Sequence, residues 1–256
     1  MNTIKDGQDS NLGNDPSDAS GKVPPEFAYL LPGWPAPANI HALTTTRWGG
    51  FSVGSTCSLN LGLNTSDPAE RVMRNREQLR KNLNLPNEPA WLTQAHGVNL
   101  ISLPPQLEDK VLEDKVSQDK VADGAITAEP REVCAILTAD CLPLFLCDRF
   151  GEQLALIHVG WRGLAKGIVE KAVDKFFHPP TDLMAWAGPS ISQVNFEVGP
   201  QVREQLGGPD DCYQASPTPG HWYADLYGLV GQRLHALGIK EYGWDDHCTY
   251  RDEHLF

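Results

Sequence analysis

The chain has 256 residues, 41% of them hydrophobic, which is enough for one substantial core. Its formal net charge of −12 argues against nonspecific nucleic-acid binding, which needs a basic footprint. No apolar run reaches the roughly 18 residues of a membrane span, and the start, MNTIKDGQDSNLGNDPSDASGK, lacks a basic stretch followed by an apolar block, so a soluble, cytoplasmic protein without a membrane partner is expected.

Residues 1–22 are rich in Asp, Ser, Asn and Gly and read as a disordered tail. Residues 23–256 read as a single catalytic domain. Its opening stretch, 23–38, carries Pro24, Pro25, Pro32, Pro35 and Pro37 and is expected to run extended over the surface, with the core starting near Ile40. Asp67-Pro68-Ala69-Glu70 predicts a helix start, with Asp67 as N-cap and Pro68 at the first helical position. Val72, Leu79 and Leu83 continue it. Trp91–Gln94 reads as a short strand. Residues 107–121, LEDKV-LEDKV-SQDKV, repeat with a period of five, which fits neither helix nor strand, and predict a charged insertion loop. Val133–Leu137, Leu142–Cys147, Leu154–Val159 and Leu183–Ala187 read as buried strands. Leu164–Phe177 reads as one amphipathic helix with Leu164, Ile168, Val169, Ala172, Val173, Phe176 and Phe177 turned inward. Val202–Leu206 and Leu226–Leu237 read as helices. The interleaving predicts an α+β fold, a single domain of mixed sheets flanked by helices.

Three residues with metal-binding chemistry stand at apparent strand ends: His96 in QAHG, Cys141 in ADC and His158 in HVGWRG. Two imidazoles and a thiolate match a catalytic zinc site, where three protein ligands leave a position open, whereas structural sites close with four. The gaps of 45 and 17 residues match no local metal motif, so from spacing alone a buried core role competes for each. None of the six cysteines forms a CxxC pair, and a disulfide framework is not expected. After His158, Gly160 and Gly163 frame a turn into a helix whose N-terminus, with Arg162, would suit an anion. Arg47, beside Gly49 and Gly50, is a second cationic candidate. Asp123 and Asp140 are candidate general bases or carboxylates that orient a ligand. Asp123-Gly124 is also a common turn signal, and Asp140, beside Cys141, is the more suggestive of the two.

The blocks TTTRWGGFS, SLNLG, DPAERVMRNREQL, TQAHG, ADGAIT, LTADCLPLFLCD, IHVGWRGLAKGIVE, AGPSISQVNFEVG, YADL and DDHCTY, in this order, resemble the bacterial YfiH-like family over about residues 40–250. The family has been called polyphenol oxidase or laccase-like, is described as zinc-dependent purine nucleoside phosphorylase, and includes members called peptidoglycan editing factors. The resemblance implies that His96, Cys141 and His158 hold the metal. With it, Arg47, Asp140 and Cys141 are the catalytic candidates, and Asn60, Gln94 and Arg162 the substrate-binding ones. The family pattern continues after DxCTY into an aromatic-Ser-aromatic-Arg-Arg segment and a terminal strand, whereas this chain stops at Phe256. The 107–121 repeat lies outside that pattern.

The resemblance implies phosphorolysis of adenosine, inosine and methylthioadenosine, with purine nucleosides and phosphate as partners, and hydrolytic deamination of adenosine. Competing readings are an amidase editing nucleotide-linked muramyl precursors, a copper-dependent polyphenol oxidase, a metal-free Cys141–His158 nucleophile and a metal-dependent binding module. Laccase chemistry needs several coppers, and the sequence offers ligands for one site, which favours zinc over copper.

Overall fold

The structure, a computed structural model, describes residues 26–104 and 120–256 together with the backbone of Ile4–Asp6. Strands β1 (Ile4–Asp6), β2 (Ala28–Leu30) and β3 (Thr44–Thr45) form a small antiparallel sheet. Helix α1 (Ala69–Asn82) follows, then β4 (Leu92–Thr93), β5 (Ile101–Leu103), β6 (Lys120–Val121), β7 (Gly124–Thr127), β8 (Leu142–Asp148) and β9 (Leu154–Val159). Next come α2 (Trp161–Ala165), α3 (Ile168–Val173), β10 (Leu183–Ala187), β11 (Glu197–Val198), α4 (Pro200–Leu206), β12 (Tyr213–Ala215), β13 (Trp222–Ala224), α5 (Leu226–Leu237) and β14 (Glu241–Trp244).

The central sheet has the order β14-β10-β8-β9-β7-β5. Its four inner strands pair antiparallel, and β5 and β14 join the flanks in parallel, which makes the sheet mixed. Side chains alternate across it. Leu142, Leu144 and Leu146 of β8, with Ala155, Ile157 and Val159 of β9, face the helices and pack with Leu164, Ile168, Val169, Leu229 and Val230. The other residues of these strands face away, where Phe145 meets Trp34. Both faces are covered, so β8 is buried throughout and reads as an unbroken apolar run. The fold is α+β, as expected.

Three differences from the expected elements have local causes. Residues 133–137 form no strand beyond the single bridge Ala90↔Cys134. The Gln94 amide occupies Leu137 instead, donating to its carbonyl at 2.6 Å and accepting from its N–H at 2.7 Å. The helix expected over Leu164–Phe177 is two short helices broken at Gly167, whose φ of 84° is left-handed. Phe176 is buried as expected, but Phe177, beyond the second helix, is 76% exposed. The core also begins earlier than Ile40, because Ala28 and Leu30 are buried. At the start of α1, Asp67 caps nothing; its carboxylate accepts from Ser52 and Arg71.

Apart from the Ile4–Asp6 backbone, the expected tail lies outside the described residues, as do residues 107–119 of the repeat. Lys120 and Val121, the last two repeat residues, form β6 in parallel with β4. Replacing residues 107–119 with a Gly-Ser linker, while keeping Lys120 and Val121, is expected to shift Tm by less than about 2 °C and to leave turnover intact. A calorimetric drop well beyond that would show that the repeat packs on the domain. Among the described residues no helix is long and apolar enough to cross a membrane.

Candidate metal centre

His158 lies one residue before the end of β9, on the face away from the helices, and is 3% exposed. Cys141 directly precedes β8, and the pairing Leu142↔Val159 carries it to Gly160. His96 sits in the loop after β4 with a left-handed φ of 55°. These segments bring one His Nδ1/Nε2 atom from each imidazole and Cys141 Sγ within 4.8 Å of one another. The imidazole centroids are 4.7 Å apart and edge-to-face. His158 is buried, Cys141 half-buried and His96 exposed, so the cluster opens to solvent on the His96 side.

The space between the three ligands depends on Gly160. A Cβ there would lie 3.0 Å from Cys141 Sγ and 3.0 Å from His96 Cδ2. Gly163 has a similar effect further along the turn, since a Cβ there would stand 2.9 Å from the Gly97 carbonyl. The two glycines of GWRG thus let the His96 loop lie against the start of α2. Two imidazoles, a thiol and a pocket without a side chain fit a single metal ion with an open coordination position.

Asp123, 1% exposed, underlies the cluster. Its Oδ1 accepts from His96 N at 2.8 Å and faces His158 Nδ1 at 3.1 Å. Its Oδ2 accepts from Gly97 N at 2.7 Å. With Nδ1–H directed at the carboxylate, His158 presents Nε2 to the cluster. Burial lowers the pKa of His158 against the raising effect of Asp123, so the ring tends to the neutral form a metal requires. Burial, with Asp140 and Asp123 nearby, raises the Cys141 thiol to about 11, while Arg162 acts in the opposite direction.

Residues 41–256 match the family described as multi-copper polyphenol oxidoreductase laccase. The chain belongs to this family, the YfiH family. It is 37% identical over 229 residues to the Escherichia coli protein named purine nucleoside phosphorylase YfiH, covering 89% of this chain and 90% of the relative. It is 39% identical over 233 residues to a purine nucleoside phosphorylase of Pseudomonas aeruginosa, covering 90% and 91%. Among solved structures, Neisseria meningitidis NMB0706, of the DUF152 family, superposes with a TM-score of 0.79 at 35% identity over 89% of this chain and 91% of that one. YlmD from Geobacillus stearothermophilus superposes with a TM-score of 0.80 at 28% identity over 89% and 88%.

In this YfiH-family chain the other candidates are placed differently from one another. Arg162 is exposed on α2 with its guanidinium 4.5 Å from the Trp161 ring centroid. Because α2 has only five residues, the helix-end field expected there is small, and Arg162 is the cationic group acting on Cys141. Arg47 does not present a free guanidinium to an anion. Its Nε donates to the Cys57 carbonyl at 2.7 Å, and one terminal nitrogen donates to the main-chain oxygens of Glu253 and Phe256 at 2.8 and 2.9 Å. Asn60 bonds Gly62 and Thr65 within its own turn, and Gln94 clamps Leu137. Asp140 accepts from Thr249 Oγ1 at 3.0 Å and faces no histidine among the described residues, whereas Asp123 lies buried between the His96 and His158 segments and faces His158 Nδ1. Arg47, Asn60, Gln94 and Asp140 line one cavity of about 1480 Å³, whose lining includes Asp140, next to Cys141 in sequence, but not His96, Cys141 or His158.

Sequence reasoning weighed Asp123 as a general base or ligand partner against a turn role and did not single out Thr249 or the space that Gly160 leaves. The signals were there, in an Asp heading the ADGAIT block and a Gly two residues after His158. Arg47→Ala is expected to lower Tm on the order of 5 °C, because about 1.5–3 kcal/mol of charge-assisted bonding is lost at 2–4 °C per kcal/mol. It should also speed proteolysis after Thr249. An unchanged Tm with weakened phosphate binding would instead return Arg47 to the anion side of the site.

Proposed function

We propose that this chain is a zinc-dependent purine nucleoside phosphorylase acting on adenosine, inosine and methylthioadenosine, with adenosine deamination as a second activity. The observation that carries the reading is the single His96–Cys141–His158 cluster around the side-chain-free Gly160, in a chain whose relatives are named purine nucleoside phosphorylases. In phosphorolysis the bond from the sugar C1′ to the purine nitrogen breaks, a phosphate oxygen bonds C1′, and the base leaves with a proton. His96, Cys141 and His158 would hold the zinc, which supplies Lewis acidity at the open position. Arg162, exposed beside the cluster, adds the positive charge that phosphate needs in a chain of net charge −12. The cavity next to Asp140 offers room for a nucleoside.

Two observations weigh against competing chemistry. Among the described residues only one group of three or more possible ligands occurs, whereas a laccase needs several coppers. A Cys141 thiol raised to about 11 is protonated near neutrality, which weighs against a metal-free thiolate nucleophile. The test is turnover of adenosine and inosine by the zinc-loaded protein with and without phosphate. Phosphate-dependent release of free base with pentose 1-phosphate is expected from both nucleosides. Conversion of adenosine to inosine alone would leave a deaminase, and no turnover of either would remove the reading.

A further inference from the structure

Asp123 does more than end a turn, and its bonding pattern is unusual enough to carry a role. Both carboxylate oxygens and both main-chain polar groups are engaged, all toward the two histidine-bearing segments. Oδ1 accepts from His96 N at 2.8 Å and faces His158 Nδ1 at 3.1 Å. Oδ2 accepts from Gly97 N at 2.7 Å and more weakly from Ala95 N at 3.4 Å. The Asp123 carbonyl accepts from His158 N at 2.7 Å, and its N–H donates to the Asn99 carbonyl at 2.8 Å. Three successive N–H groups of the QAHG loop therefore converge on one buried carboxylate. That convergence holds His96 in its left-handed backbone conformation, which a residue with a side chain rarely adopts unaided.

A carboxylate matches this environment in shape and in the sense of its hydrogen bonds. It offers acceptors alone, about four lone-pair positions, to four N–H groups. An asparagine of the same shape would turn an NH2 group either toward His96 N and His158 Nδ1 or toward Ala95 N and Gly97 N. Either way donors would face donors in a buried space.

We infer that Asp123 is the positioning residue of the metal centre, setting the backbone of one ligand, His96, and the tautomer and ring orientation of another, His158, through a single carboxylate. The inference rests on the reading that His96, Cys141 and His158 hold a metal. Outer carboxylates of this kind typically contribute 10- to 100-fold to metal affinity.

The experiment begins with the wild-type protein and zinc or cobalt(II) alone, titrated against a chromophoric chelator. No binding, or binding unaffected by Cys141→Ala, would defeat the metal reading and the inference with it, whereas the Asp123→Asn outcomes test the inference alone. Given binding, Asp123→Asn is expected to weaken zinc affinity 10- to 100-fold in the folded protein and to change the cobalt(II) d–d absorption while the Cys141 thiolate charge-transfer band persists. A merely structural Asp123 would lower the Tm of the metal-free variant and leave the affinity of its folded fraction and the cobalt spectrum unchanged, which would overturn the inference. If Asp123→Asn does not fold, long-range ¹H–¹⁵N correlation spectra of the wild-type metal-free protein decide. A protonated Nδ1 on His158 is expected, and a protonated Nε2 with bare Nδ1 would overturn it.

Discussion

Cys141→Ala is expected to yield a folded protein that holds no metal and has no turnover above background. Zinc bound by elemental analysis should fall from one per chain to none. The side chain removed is small and half-buried, and burial keeps its thiol protonated when no metal is present, with a pKa near 11. Its loss therefore costs little packing, and the metal-free forms of the variant and the wild type should melt within about 3 °C of each other. The difference appears on loading: wild-type Tm should rise with added zinc, as expected for a ligand that binds only the native state, and the variant's should not. Full metal occupancy in Cys141→Ala would sink the ligand assignment.

Gly160→Ala should disable the centre without removing any ligand. Gly160 has φ −79° and ψ 160°, which alanine adopts freely, so the backbone has no reason to object. The added carbon, however, would sit 3.0 Å from Cys141 Sγ and from His96 Cδ2, closer than ordinary van der Waals contact. It would occupy the volume between the ligands and push the thiol and one imidazole apart. Zinc affinity is expected to fall at least about 100-fold, the upper end of what disturbed ligand positioning produces, while the metal-free fold is retained. Wild-type affinity in this variant would mean that the ion sits elsewhere, whatever the activity.

How much of this was legible in the sequence differs from element to element. The strands at Leu154–Val159 and Leu183–Ala187 and the helix at Leu226–Leu237 lie where apolar pattern placed them, because each buries that pattern against the others. Residues 133–137 carry the same pattern and form no strand beyond the bridge to Ala90, and at Leu137 the backbone is bonded by the amide of Gln94, 43 residues away. The break at Gly167 was visible as a residue but not as a conformation. β14 was missed because Glu241–Trp244 has little apolar patterning; its Gly243 leaves room for the Trp186 ring, and a Cβ there would come 2.8 Å from Trp186. At the site, His96, Cys141 and His158, which the structure brings together, were readable as residue types and through the motifs that resemble the YfiH family. Asp123 was readable as one of two candidate partners but not as the one that joins their segments, because it accepts from backbone N–H groups 26 to 28 positions away, which no local spacing rule encodes.

The three candidate ligands also occupy separate stretches of chain, His96 in a loop, Cys141 ahead of one strand and His158 near the end of another. An ion held by all three would act as a cross-link, closing segments of 45 and 17 residues in a single step. Chain entropy makes such closure worth more for the longer segment, by about 0.6 kcal/mol for each doubling of length. The site would then be a staple as well as a reaction centre. Stripping the ion would release the exposed His96 loop first, and protease cleavage around Gln94–Gly97, measured against the rest of the domain, would track metal loss before any global unfolding.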